Sequence, residues 1–230
     1  QKEKDAIRDF LYDVSHQLKT PLTTLHLYAD MDIAAAAGEQ AETRAQDFLS
    51  LIVRMESLVQ ALLKLARLES GTTELHFAEQ NLKMTAEQVV TSQLERLSMR
   101  RQSVRIIAQD PVMVRYDNQW LGEALQNILI NAANHAPEDS EITLAINSTD
   151  TIATLSISDC GPGITAEDLP HLFDRFYRSR SPADGQGCGL GLALAAQVLQ
   201  RHHGSIKAAN RSEGGAIFTL TLPRYPLNVS

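Results

Sequence analysis

Apolar residues recur at helical spacing through the first seventy positions. Ile7, Phe10, Leu11, Val14, Leu18, Leu22, Leu25, Tyr28, Ala29 and Met31 fall in steps dominated by three and four, which marks one face of an amphipathic helix. Gly38 and the polar Glu39, Gln40 and Glu42 then predict a hairpin turn at about 37–43. A second stripe follows at Phe48, Leu51, Met55, Leu58, Leu62, Leu65 and Leu68, and Gly71 ends it. Its spacing is close to heptad. Two long helices with a short connection predict an antiparallel hairpin. Ile52, Val59 and Leu63 widen the second stripe beyond a single seam. Pairing of two hairpins into a four-helix bundle covers such a face, and packing on the rest of the chain is the alternative.

After residue 71 the pattern changes. Short β-branched runs at Val104–Ala108, Val112–Val114, Ile142–Ile146, Ile152–Ile157, Ser205–Ala208 and Ala216–Leu222 alternate with helical patterns at about 83–100, 118–135 and 189–203. Interleaved strands and helices predict an α/β sandwich. The fold class expected is therefore α+β: a helical hairpin over 1–71 and an α/β sandwich domain over 72–230.

Composition narrows the function. Apolar residues make up 43% of the 230 positions, enough for a core. The net charge of -7 argues against a nucleic-acid partner, which calls for a basic footprint. Cys160 and Cys188 are the two cysteines, too few for a disulfide framework and without zinc-ligand spacing. No run approaches the roughly 18 apolar residues of a membrane span. The chain begins at Gln1, and the expectation is a fragment of something longer, whose targeting part is not included here.

Four constellations carry possible chemistry. In SHQLKTPLT, residues 15–23, His16 and Thr20 share a helical face, and Pro21 kinks the helix beside them. A neutral imidazole nitrogen can attack phosphorus, although a lone helical histidine is more often only a surface or packed residue. In LQNILINAANHAP, residues 125–137, Asn127 and Asn131 lie four apart, with Ile128, Leu129 and Ala132 directed at a sheet. Carboxamide oxygens suit Mg²⁺ that phosphates already neutralise; helix-surface asparagine is the plainer reading. DCGPGI, residues 159–164, follows a strand. Asp159 can accept a hydrogen bond from a base, and Gly161 and Gly163 permit close backbone approach; an ordinary turn fits equally. In GQGCGLGLALAAQVLQ, residues 185–200, Gly187, Gly189 and Gly191 precede an apolar helix whose free N–H groups can face phosphate. No Gly-Lys-Ser/Thr follows, so this is not a Walker loop. Between the last two elements, LFDRFYRSRS combines Phe173, Phe176 and Tyr177 with Arg175, Arg178 and Arg180.

In this order and spacing the motifs resemble those of bacterial sensor histidine kinases, over about residues 8–222: an H-box at 15–23, an N-box at Asn127 and Asn131, a G1 box at Asp159–Gly163, an F-box at Phe173–Arg178 and a G2 box at Gly187–Gly191. The resemblance implies a dimerisation and phosphotransfer hairpin, forming a homodimer, and an ATP-binding domain of Bergerat type with a lid at roughly 164–188. It implies transfer of the γ-phosphoryl group of Mg-ATP to His16 and onward to an aspartate of a response regulator, and a cytoplasmic portion of a protein attached to the bacterial inner membrane through an N-terminal part not included here. The nucleotide contacts it implies are Asn127, Asn131, Asn134, His135, Asp159, Gly161, Gly163, Ile164, Phe176, Arg178, Gly187, Gly189, Leu190 and Gly191, with Asn131 and Asn127 on the metal.

The chain departs from the pattern at three places, one of them Cys188, which fills a G2 position often taken by Thr or another small residue. Gln17 stands where the family has an acid, and an amide cannot take a proton. Thr20 matches the residue that orients water for dephosphorylating the regulator. Asn134 and His135 replace the usual Lys or Arg and an aromatic residue, so a fixed charge is missing from that position. A hydrolytic ATPase of the gyrase and mismatch-repair kind would carry a Glu where this chain has Asn127. A scaffold that binds a regulator without phosphorylating it is the other alternative, favoured by Gln17 and opposed by Asn131, Asp159 and the glycines. Both cysteines are expected at or near the nucleotide pocket.

Overall fold

The computed structural model describes residue 23 and residues 39–71, 73–108, 111–179 and 188–224. The chain divides into two compact units between Lys64 and Leu65. Helix α1 (Glu39–Glu69) begins in the first unit and runs up to and past the division. Positions 39–43 are therefore helical, where a turn was predicted. Glu, Gln, Ala, Thr and Arg there include several strong helix formers, and the polarity that suggested a turn belongs to a helix end. On α1, Leu58 and Leu62 are buried while Leu49, Val53, Val59 and Leu63 are exposed.

In the second unit a five-stranded sheet has the order β2 (Ser103–Ala108), β4 (Glu141–Ser148), β5 (Ile152–Ser158), β7 (Ala216–Pro223), β6 (Ser205–Asn210). Only the β2–β4 pair is parallel. Side chains alternate between faces with a period of two. Ile142, Leu144 and Ile146 of β4, Leu155 and Ile157 of β5, and Phe218 and Leu220 of β7 therefore all fall on one buried face. Three helices cover that face: α2 (Leu82–Ser92), α4 (Asn118–His135) and α5 (Gly191–Arg201). The result is the expected α/β sandwich.

The pattern at 83–100 is not one helix. It breaks at Gln93, with α3 (Leu94–Met99) following α2. At the break the Ser92 hydroxyl bonds the Val89 carbonyl and the Gln93 amide reaches the Ser92 oxygen, a side-chain alternative to continued helix. A strand absent from the sequence reading, β1 (Ala78–Asn81), pairs antiparallel with β3 (Met113–Tyr116) outside the main sheet. The 3₁₀ turn Leu169–His171 lies between β5 and α5.

Helix α4 positions the site. Leu121, Ala124, Leu125, Ile128, Leu129 and Ala132 are its fully buried stripe, and each larger one contributes about 1.5–3 kcal/mol on burial. Its N-cap, Asp117, accepts from the Gln119 and Trp120 N–H groups through Oδ1 and from the His76 N–H through Oδ2. The Asp117 N–H donates to His202 Nε2 at 3.1 Å, and His202 Nδ1 faces the Val198 carbonyl at 2.8 Å. That carbonyl requires a proton on Nδ1, so His202 is held neutral; burial lowers its pKa, only partly offset by the Val198 bond and the Asp117 charge. At the other end of α4, Gln102 Nε2 donates to the Ala133, Ala136 and Pro137 carbonyls, and Arg100 donates to those of Asn134 and Ala136. The carbonyls a helix leaves unpaired at its C-terminus are met there by side chains from outside the helix.

Candidate nucleotide site

An open cleft of about 1290 Å³ lies against the C-terminal half of α4. From α4 it is lined by Asn127, Asn131, Asn134 and His135, from the loop after β5 by Asp159, Gly163 and Ile164, and from the far side by Arg178, Gly189 and Gly191. Ten of the residues expected to bind nucleotide thus line one cavity.

The lining residues differ in how free they are. The side chain of Asn131 makes no hydrogen bond among the described residues, so its carboxamide oxygen is available to the cleft. Asn127 donates from Nδ2 to the Glu123 carbonyl at 2.9 Å, and a Cβ at position 191 would lie 2.8 Å from its Oδ1. Its amide is thus packed between its own helix and the start of α5, a poorer metal ligand than Asn131. Asp159 is buried, and its Oδ1 accepts from the Gly161 N–H at 2.8 Å and the Ala216 N–H at 3.2 Å. Those two bonds fix the carboxylate and leave Oδ2 for a base.

Four expected contacts are placed differently. Gly161 approaches α4 rather than the cleft: a Cβ there would sit 2.7 Å from the His135 carbonyl oxygen. Leu190 is fully buried as the residue before α5, so its side chain is core. Phe176 joins the two loops. Its N–H donates to the Gly189 carbonyl at 2.8 Å, and a Cβ at 189 would meet the Phe176 backbone at 2.7 Å. Gly189 also has a φ of +70°, favoured by glycine. The glycine is required there by a neighbouring backbone, where the sequence suggested close approach of phosphate. Cys160 does not line the cleft: its Sγ contacts the Glu141 carbonyl and Arg211, because side chains alternate at the strand end and Asp159 takes the inward position. Cys188 does line it. Gly187 and Arg180 lie outside the described residues, as do His16, Gln17, Thr20 and Pro21.

Sequence reasoning missed the supports of the loop wall. Asn210 clamps Ile164, accepting from its N–H and donating to its carbonyl, both at 2.7 Å. Arg211 donates to the Asp159 carbonyl at 2.8 Å. Asp168 accepts from the Tyr177 hydroxyl at 2.6 Å and the Ser179 hydroxyl at 2.9 Å. The bonds from Tyr177, Thr165 and Ser179 hold its carboxyl below the usual carboxylate range. Arg175 forms an ion pair with Glu69 at the end of α1. None of these partners shares a local pattern with the residue it supports.

Two family models match the chain. Residues 6–71 match the His Kinase A (phospho-acceptor) domain, and residues 116–226 match the histidine kinase-, DNA gyrase B-, and HSP90-like ATPase. The chain belongs to the sensor histidine kinases. It is 33% identical over 236 residues to the signal transduction histidine-protein kinase AfsQ2 of Streptomyces coelicolor, covering 97% of this chain and 43% of that protein. It is 32% identical over 213 residues to the histidine-protein kinase/phosphatase MprB of Mycolicibacterium vanbaalenii, covering 88% of this chain and 43% of that protein. The chain thus spans less than half the length of these relatives. Among solved structures, the Acinetobacter baumannii histidine kinase AdeS superposes with a TM-score of 0.75 at 23% identity, over 91% of this chain and 98% of that one, and shows the same fold. Among the described residues, no helix is long and apolar enough to cross a membrane.

Proposed function

We propose that this chain is the catalytic portion of a sensor kinase that binds Mg-ATP in the cleft, phosphorylates His16 and passes the phosphoryl group to an aspartate of a response regulator. Residues 1–71 serve as the dimerisation and phosphotransfer hairpin and 72–230 as the ATP-binding domain. The observation that carries this reading is the convergence of Asn131, Asp159 and the glycine-rich loop before α5 on one cavity.

The residues present fit magnesium bound with a nucleotide. Among the described residues no group of three His, Cys, Asp or Glu could hold a cation unaided, whereas Asn131 offers one uncommitted hard oxygen. Such a site suits an ion whose other ligands are phosphate and water. When bound, magnesium neutralises charge on the transferring phosphoryl group. Asp159 Oδ2 accepts from the adenine amino group. A ring nitrogen of neutral His16 attacks the γ-phosphorus, the bond to the bridging oxygen breaks, and ADP leaves. The imidazole proton passes to water, because the Gln17 amide cannot hold it. Thr20 orients water for dephosphorylating the regulator, an activity that the name of the relative MprB also carries. The exposed Val59 and Leu63 on α1 support a homodimer through the hairpin.

The test is incubation with γ-³²P-ATP and magnesium. The wild-type chain should acquire acid-labile label, and His16→Ala should acquire none while still binding ATP. Label persisting in His16→Ala would show another acceptor. ATP binding without any label on the wild type would favour the regulator-binding scaffold that Gln17 otherwise suggests.

A further inference from the structure

The cleft residues that α4 supplies carry no fixed charge. They are Asn127, Ile130, Asn131, Asn134 and His135. A nucleoside triphosphate brings several negative charges, and phosphate sites ordinarily meet them with arginine or lysine. Among the described residues, the arginines that line the cleft are Arg96, Arg100 and Arg178. Arg100 is committed to the helix end, with Nη1 on the Asn134 carbonyl and Nη2 on the Ala136 carbonyl. Arg178 stands on the loop wall across the cleft from α4. Arg96 is placed otherwise. It projects from the short helix α3, is exposed, and directs Nη1 at the Asn134 side-chain oxygen at 3.4 Å. That is its one hydrogen bond among the described residues, a long one, and the rest of the fork is unspent.

We propose that Arg96 is a nucleotide phosphate-binding residue of this cleft, steered into place by the Asn134 carboxamide. The charge absent from position 134 is thereby supplied from a different helix. The inference rests on the nucleotide reading above and adds one residue and one pair to it. The geometry around the pair supports a fixed position for Arg96. Arg100 anchors the residue after α3 to the end of α4, and Arg101 pairs with Glu138 and Asp139 just beyond that end, at 2.9 and 2.7 Å. The segment bearing Arg96 is therefore tied, just after α3, to the C-terminal end of α4 at Asn134 and beyond. Glu95 and Glu138 also line the cleft. Glu138 is partnered by Arg101, and Glu95 is the acid beside Arg96 that the phosphates must outcompete. A guanidinium held by an uncharged oxygen yields to a phosphate more readily than one held by a carboxylate, so Asn134 orients Arg96 without neutralising it.

The experiment measures equilibrium binding of ATP, ADP and adenosine, with magnesium, to the full chain and to Arg96→Ala, Asn134→Lys and the double variant Arg96→Ala/Asn134→Lys. Losing one charge-assisted hydrogen bond at an exposed rim is worth about tenfold in affinity. Arg96→Ala should therefore weaken ATP about tenfold, ADP by less, and adenosine not at all. The double variant should recover most of the loss, because a lysine at 134 returns the charge to α4. The salt dependence of ATP binding should be shallower in Arg96→Ala than in the wild type. Unchanged ATP affinity in Arg96→Ala, an equal loss for adenosine, or no recovery in the double variant would each overturn the assignment. A wild-type chain that binds neither ATP nor adenosine would instead overturn the nucleotide reading, and this inference with it.

Discussion

Helix α4 carries its share of the cleft on a rod capped at both ends, whereas the opposite wall hangs on single contacts between loops. On α4, Asp117 closes the N-terminus and Gln102 with Arg100 closes the C-terminus, and the buried stripe seats the helix on the sheet. Asn131 and Asn134 project from that rod without being part of what holds it. On the loop wall the residues near the cleft are also the fasteners. Gly189 holds Phe176, Asn210 holds Ile164, and a Cβ at Gly215 would lie 2.0 Å from the Asp159 carbonyl oxygen. Chemistry and architecture are separable on the first wall and fused on the second. Substitutions of Asn131 and Asn134 on α4 should change binding at constant stability, and those on the loops should change both.

The largest break in that contrast is expected at Gly215. Its φ is +87° and the Asp159 backbone occupies the space of a side chain. Gly215→Ala should cost about 2–4 kcal/mol in urea unfolding, by backbone strain and forced displacement, and should abolish nucleotide binding with it. A smaller effect is expected at the Ile164 clamp. Asn210→Ala removes two hydrogen bonds and should cost about 1–2 kcal/mol, with weaker ATP binding that tracks the lost stability.

The smallest effect sharpens the comparison from the α4 side. His202, which receives the Asp117 N–H beneath the helix, is buried in its neutral form with its pKa lowered by desolvation. Its ordinary value is about 6.5. The unfolded chain therefore binds a proton that the folded chain resists as pH falls through that range. His202 stabilises the fold fully above about pH 6.5, and the contribution is lost as pH drops below it. Urea midpoints measured from pH 8 to pH 5 should fall, and His202→Gln should show a flatter profile in that interval. An identical slope in the variant would remove His202 from the support of α4.

The same division decided what the sequence could reveal. Strands β4, β5 and β7 alternate buried and half-buried residues along most of their length, so their faces were legible; β1, Ala-Glu-Gln-Asn, has no such alternation and pairs outside the main sheet. Asn127 and Asn131 were legible because a helix turns a spacing of four into a shared face. The glycines were legible as glycines, but their reasons were not, since Gly161, Gly189 and Gly215 answer to a backbone distant in sequence and Gly163 and Gly191 to a distant asparagine side chain. Gln102 reaches Ala133 across 31 positions and the Asp117 N–H reaches His202 across 85. Arg96 likewise meets Asn134 across 38. Such pairs leave no periodic trace, because tertiary folding alone brings them together.

The most direct test of the account is ATP binding to Asn131→Ala, measured by titration calorimetry with and without magnesium, beside a urea unfolding curve of the same variant. The account predicts that the wild type binds ATP more tightly with magnesium, and that Asn131→Ala loses that dependence while unfolding within about 0.5 kcal/mol of the wild type, as a substitution outside the packing should. A variant that keeps the full magnesium enhancement would contradict the account. So would one that loses nucleotide binding only in proportion to lost stability.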